Sequence, residues 1–343
     1  MKKLIILGAG ASVDFGFPSG VDLLKEIYGL WIKPEGRYLH LYLHILNRIR
    51  PKDTIAQDIA KDRIQSLASR LFYSGAESID DFLSQCTDKA EVYFGKVTIL
   101  NLILEKESAS DNANQPKALF RWDENWLRKF FGSEFRRDSI DLLKKKFEQV
   151  QVGIITFNYD RNVEHFLYHA LKFYYDLPSR DVVALMQNIK IEHVYGEIAP
   201  LGWHEGDPNK MLRYGDNFSA FPYNKEDKIL NCAISNIRVI NEDREKDLES
   251  RQKSQALITE ADRVHILGFG FLGSNLDVLG FNEYKKNLGG RSVPRSKFYY
   301  TSHGLSEGLR EHIVSNYFGR LASDTPAGMA ADRKIYDYFL HHY

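Results

Sequence analysis

The sequence predicts an α/β fold: one open, parallel sheet in a single domain spanning residues 1–343, with a large helical insertion after the first strand and its loop. Three observations carry this expectation. Short strand-like runs recur at residues 3–7, 153–157, 189–195, 264–267 and 297–300. They are short, largely apolar and bounded by glycine or polar clusters, the pattern of strands buried on both faces. Helical patterns separate them, and residues 21–148 read as helical apart from their loops.

The first run ends on Gly8-Ala9-Gly10-Ala11-Ser12. Met1-Lys2-Lys3 followed by LIILGAGASV also has the charge, apolar stretch and small residues of a secretory signal. The apolar stretch before Gly8 covers only residues 4–7, which is short for a signal, so a buried strand entering a glycine turn is expected. Residues 16–20 (GFPSG) form a second turn-rich loop. Within 21–148, LHLYLHILNRI and SIDLLKKKFEQV space apolar residues three and four apart, as amphipathic helices do. Ser78, with Asp81 three residues on, marks a helix start of capping-box type, and 110–116 (SDNANQP) is a polar loop. Residues 162–174 read as a helix, 205–227 as a polar loop, and 242–255 as a charge-rich solvated helix. Ligands of open parallel sheets sit outside the carboxyl ends of the strands, where the glycine and polar clusters fall.

Composition narrows the function. The chain is 43% apolar and 27% charged, ordinary for a globular protein and unlike a disordered chain, a collagen or a disulfide miniprotein. Lys plus Arg and Asp plus Glu both number 46, so direct nucleic-acid binding is not expected. Cys86 and Cys232 form neither a four-thiolate zinc site nor a disulfide framework, and His40 and His44 lack a third ligand. No metal is expected. No run approaches the roughly 20 apolar residues that cross a bilayer, so no membrane partner is expected, and the expected location is cytoplasmic.

Each strand-end cluster has a binding reading and a plainer alternative. Glycines at 8 and 10 let a backbone approach a pyrophosphate at a helix N-terminus, although Val13 replaces the third glycine of the dinucleotide fingerprint. The alternative is a tight turn. Strand alternation through 156–160 (TFNYD) puts Thr156, Asn158 and Asp160 on one face, where they line a cleft. An Asn amide there positions a ribose hydroxyl or a water, and a carboxylate accepts from a carboxamide. The alternative is capping of the helix near Arg161. His193 and Tyr195, two apart, are expected on one face, with His193 as a general base or as a hydrogen-bonded structural residue. In 267–271 (LGFGF), Gly268 and Gly270 suit adenine or ribose contacts. Phe269 or Phe271 either covers a base or packs in the core, with Asn275 just beyond. The loop 301–304 (TSHG) is similarly open to both readings.

In order along residues 4–301, GAGAS with the following GFP, SIDDFL, TFNYD, HVYG, ILGFGFLGSN and FYYT resemble the sirtuin superfamily, specifically its bacterial sirtuin-like NAD-hydrolase branch. The resemblance implies a Rossmann-like parallel sheet with a helical module inserted after the first loop, and NAD bound across the strand ends. It implies Gly8, Ala9, Gly10, Ala11 and Ser12 at the phosphates and Phe17 and Pro18 on the cofactor-binding loop. Asn158 matches the family's catalytic Asn and Asp160 the acid that meets the nicotinamide amide. Gly268, Phe269 and Asn275 fall on the adenosine side. Three departures matter. The zinc-binding cysteine pairs of deacetylase members are missing. Pro18 is followed by Ser19-Gly20-Val21 rather than Asp-Phe-Arg. The family histidine before the glycine is here Tyr195, with His193 two residues earlier.

The implied activity is NAD glycohydrolysis, with NAD as substrate and no metal. The nicotinamide–ribose bond is cleaved through an oxocarbenium-like transition state. Asn158 holds the ribose and a water, Asp160 orients the nicotinamide, and His193 or Tyr195 assists deprotonation. A general base supplies only about 10²–10⁴ in rate, so positioning and electrostatics must supply the rest. An unregulated hydrolase drains cellular NAD. The resemblance therefore implies an antiphage effector held off until triggered, controlled by homo-oligomerisation or by a HerA-type hexameric ATPase partner. The alternative is an NAD- or ADP-ribose-binding sensor or scaffold subunit without turnover. A dehydrogenase is disfavoured by Val13 and by the lack of an acidic ribose ligand about twenty residues on.

Overall fold

The computed structural model describes residues 1–36, 38–40, 42–43, 57–110, 112–113, 125–204, 210–216, 223–239, 244–281, 297–301, 305–313, 330–331, 335 and 338–339. His44, residues 111 and 114–116 of the 110–116 loop, parts of the 205–227 loop and residues 302–304 lie outside these. The strands are β1 (Lys3–Leu7), β2 (Val152–Thr156), β3 (Lys190–His193), β4 (Arg263–Leu267), β5 (Phe298–Thr301) and a two-residue β6 (Ala330–Ala331). All pairings are parallel and the order is β3-β2-β1-β4-β5-β6, a Rossmann-like arrangement. β6 has no counterpart among the expected strands. Two alanines are too short a run to register as a strand by pattern.

The register positions the site. Leu7 pairs with Thr156 on one side and Leu267 on the other, so the loops after β1, β2 and β4 leave the sheet at one level. The ladder runs one step further, with Phe157 N–H donating to the Leu7 carbonyl at 2.9 Å and Gly8 N–H to the Leu267 carbonyl at 3.0 Å. The strand order reverses between β1 and β4, the switch point at which such sheets bind ligands. Every residue of β2, and all of β1 and β4 beyond the first, is buried, so both faces are covered.

Among the described residues, the stretch between β1 and β2 is built from helices alone. These are α1 (Gly10–Val13), α2 (Gly20–Ile32), α3 (Gln57–Tyr73), α4 (Ile79–Ser84), α5 (Lys89–Ala109), α6 (Trp126–Glu134) and α7 (Ile140–Glu148). Ser78 caps α4 as expected, its hydroxyl accepting from Asp81 N–H at 3.1 Å. In α5 residues 94, 97 and 99–104 are buried on every side, the signature of a helix threaded through a core rather than laid on it. Its polar interior turns inward: Thr98 and Asn101 donate to the carbonyls one turn back, and Trp31 donates to Thr98 Oγ1 at 3.2 Å.

After β2 come α8 (Asn162–Tyr174) and α9 (Ser179–Met186), then α10 (Tyr223–Asn236) and α11 (Arg244–Glu260) before β4, then α12 (Gly273–Val278) and α13 (Glu307–Ile313). Two boundaries differ from the sequence reading. Residues 223–227 open α10 rather than extending a loop. A proline at 222 and strong helix formers at 225 and 226 are the local reason. The charged helix runs on past 255 to Glu260, which brings Ile258 into the core. No helix of the described residues is long and apolar enough to cross a membrane.

Candidate active site

Residues at the carboxyl ends of β1 to β5, with residues of the insertion, line a cleft of about 620 Å³. Gly8, Ala9, Gly10, Ser12, Phe17 and Pro18 line it from the first loop region. Asn158, Asp160 and Tyr195 line it from the β2 and β3 ends, and Gly268, Phe269 and Asn275 from the β4 end. Three of the expected site residues, Ala11, Thr156 and His193, are not on its wall. Ala11 is buried behind the turn, its carbonyl accepting from the Trp126 indole at 2.8 Å. Thr156 Oγ1 accepts from the Asn158 N–H at 3.1 Å and so shapes the loop from beneath.

The glycines serve each other first. Gly10 N–H donates to the Gly268 carbonyl at 2.9 Å. A Cβ on Gly8 would stand 2.6 Å from that carbonyl, and one on Gly268, whose φ is +59°, would stand 2.2 Å from Ala11 N. Two strand-end loops thus meet backbone to backbone, which only glycine permits. The amides of Ala11 and Ser12 are taken by turn bonds to Gly8 and Ala9. The Ala9 N–H has no acceptor among the described residues.

Asn158 ties this turn to β2. Its Nδ2 donates to the Gly8 carbonyl at 3.1 Å and to Ser12 Oγ at 3.0 Å, and Ser12 Oγ donates on to Asp160 Oδ2 at 2.8 Å. A carbonyl partner fixes which end of the amide is nitrogen. The other end, Oδ1, is buried and has no partner among the described residues, although Asn158 is only 8% exposed. A buried acceptor left without a donor costs about 1–3 kcal/mol. Asp160 lines the cleft and also serves the local turn: Oδ1 accepts from the Asn162 N–H at 3.1 Å, helping to start α8, while Oδ2 accepts from Ser12. Burial outweighs these bonds and pushes its pKa up to about 6.

The insertion adds a second carboxyl group. Asp80, in the first turn of α4, lines the cleft and accepts from the Tyr159 hydroxyl. Burial lifts its pKa to about 6 as well, against that hydrogen bond. Neither Asp80 nor Tyr159 is among the residues expected at the site. Asp80 reads in sequence as an ordinary helix-start acid, and strand alternation sends Tyr159 away from Asn158 and Asp160. The strand ends at Thr156, however, and the chain beyond it does not alternate.

The same reason separates His193 from Tyr195. β3 ends at His193, and the turn that follows rotates Tyr195 into the cleft, where its hydroxyl donates to Asn275 Oδ1. His193 lies underneath. Its Nε2 meets Glu164 Oε1 at 2.6 Å and its Nδ1 meets the Asn158 carbonyl at 3.2 Å. Burial alone lowers the histidine pKa, but the Glu164 carboxylate prevails and raises it to about 9. Both ring nitrogens of His193 are thus committed, one to Glu164 and one to the Asn158 backbone. His193 does not stand beside Tyr195 as a base. Phe269 packs edge-on to Phe157 at 5.0 Å and still forms cleft wall, so it is both core and lining.

A second buried ion pair clamps the other flank. Glu107, near the end of α5, holds Arg161 through Nε at 3.0 Å and Nη2 at 2.6 Å, both side chains being 0% exposed. Arg161 also donates to the carbonyls of Ala199 and Leu212 at 2.9 and 2.8 Å. The described residues contain no group of three or more His, Cys, Asp or Glu side chains placed to hold a metal ion. No protein-family model matches the chain, and no curated protein matches it.

Proposed function

We propose that the protein is an NAD glycohydrolase, releasing nicotinamide and ADP-ribose. The observation that carries this reading is the Asn158 carboxamide. It lines a cleft of dinucleotide size at the switch point, is fixed through Nδ2 to the glycine turn, and keeps a buried Oδ1 with no partner among the described residues. That acceptor suits a ribose hydroxyl or the attacking water. In the proposed reaction the bond from ribose C1′ to the pyridinium nitrogen breaks and its electron pair stays on nitrogen, so nicotinamide leaves neutral. A water oxygen bonds C1′, and its proton passes to a cleft carboxylate. Asp160 accepts from the nicotinamide carboxamide, and Tyr195, rather than His193, is the group presented by the turn after β3. Supporting context comes from the ordered sirtuin-like motifs, which also motivate a role as a regulated antiphage effector. That role includes self-assembly or a HerA-type ATPase as the control.

Nicotinamide release on incubation with NAD, followed by chromatography across several protein concentrations, tests this. Release that rises with assembly and is abolished by Asn158→Ala supports it. A second reading has one specific observation behind it. The commitment of His193 to Glu164 leaves no histidine on the described cleft wall, as a sensor or scaffold that binds NAD or ADP-ribose without turnover would have it. Tight binding with no release in free and assembled forms selects that reading.

A further inference from the structure

The cleft is electrically lopsided. Four acidic residues line it, Asp14, Glu77, Asp80 and Asp160, and all come from the β1 loop, the insertion or the β2 end. Among the described residues the β4–β5 side presents Gly268, Phe269, Gly270, Leu272, Asn275 and Thr301, none of them charged. Among the described residues no Lys, Arg or His lines either side. A cation is therefore drawn toward the acidic residues. The buried, partnerless Oδ1 of Asn158 lies on that acidic side and independently marks it as the end that receives a ligand.

We propose that Asp80, carried into the cleft by α4 and held there by the Tyr159 hydroxyl, is a ligand-contacting, specificity-determining residue whose carboxylate selects the positively charged pyridinium of an oxidised nicotinamide dinucleotide over its neutral reduced form. The inference rests on the dinucleotide reading of the cleft and adds to it a residue on the inserted helices. A carboxylate there also suits a ribosyl group that gains positive charge as the bond to nitrogen breaks. Two further groups bear on the titration of Asp80, Tyr159 from the β2 loop and Asp81 on its own helix. Those that bear on Asp160 are Ser12, Glu107 and Glu164.

Equilibrium binding of three probes tests the assignment: carba-NAD⁺, which keeps the pyridinium and is not hydrolysed, its reduced form, and ADP-ribose. The wild-type protein at pH 7.5 is expected to prefer the oxidised probe about tenfold, with the preference fading below pH 6 as the carboxylates protonate. Asp80→Asn keeps the shape and is expected to cut that preference about threefold or more while ADP-ribose affinity stays unchanged. Tyr159→Phe keeps the carboxylate but removes its donor, and is expected to move the midpoint of the pH dependence upward. An unchanged preference in Asp80→Asn, or an unmoved midpoint in Tyr159→Phe, overturns the role of Asp80 and leaves the dinucleotide reading standing. Failure of the wild-type protein to bind both carba-NAD⁺ and ADP-ribose overturns the dinucleotide reading itself, and the inference with it.

Discussion

Ser12 Oγ receives the side-chain amide of Asn158 at 3.0 Å and passes its own proton toward Asp160 at 2.8 Å, linking residues 146 positions apart in the chain. One hydroxyl therefore sets the orientation of both polar groups on which the proposed chemistry depends. Ser12→Ala removes the link. It leaves Asp160 Oδ2 buried without that donor, and an expected loss of about 1–3 kcal/mol follows. Urea denaturation reads the loss. An unchanged midpoint would mean that the relay carries no stability.

The His193–Glu164 pair makes stability depend on pH in a defined direction. The histidine pKa is raised to about 9 from an ordinary 6.5. Its contribution is thus fully present below about 6.5 and disappears as pH climbs through 9. Glu164 is lowered: burial opposes its charge, but the imidazolium prevails. Its contribution is present above the ordinary carboxylate value and is lost on acidification. Melting temperature is expected to hold between about pH 5 and 6.5 and to decline toward pH 9. His193→Gln is expected to remove the alkaline decline. A wild-type curve flat from pH 6 to 10 contradicts the pairing.

Breaking the clamp on α5 is expected to be more damaging. Glu107→Ala leaves the Arg161 guanidinium buried without its counter-charge, at a cost of about 3–5 kcal/mol. Combining Glu107→Leu with Arg161→Met removes both charges but also strips the donor from the Ala199 and Leu212 carbonyls. Recovery in the double variant is therefore expected to be partial. Denaturant titration of both variants measures the difference.

Gly268→Ala meets two obstacles at once, a φ of +59° and a Cβ placed 2.2 Å from Ala11 N. The expected loss is about 3 kcal/mol or more, together with weakened dinucleotide binding as the two loops part. Gly273→Ala, where a Cβ meets nothing within 4 Å, is the control and is expected to leave the melting temperature unchanged or slightly raised. Equal losses at the two positions would contradict the loop–loop contact.

Much of this architecture is legible in the sequence, because strands buried on both faces need short, largely apolar runs and leave them at residues 3–7 and 264–267. Ser78 announces α4 by the same directness, since a cap bonds within its own turn. Contacts over long separations leave no such trace. The meeting of Gly10 with Gly268 follows from β1 and β4 being neighbours, and no local pattern states which strands adjoin. Alternation misleads just past a strand end, as at Tyr159 and at Tyr195, where the pleat has already stopped. Asp80 escapes notice because an acid in the first helical turn is ordinary. Only its burial against Tyr159 distinguishes it.

The inserted helices are fastened at both flanks of the crevice, by the Trp126 indole on the Ala11 carbonyl and by Glu107 on Arg161. They cannot swing like a hinged door without stranding ions away from water, which costs several kcal/mol. A displacement of these helices would therefore load the first and second strand-end loops together.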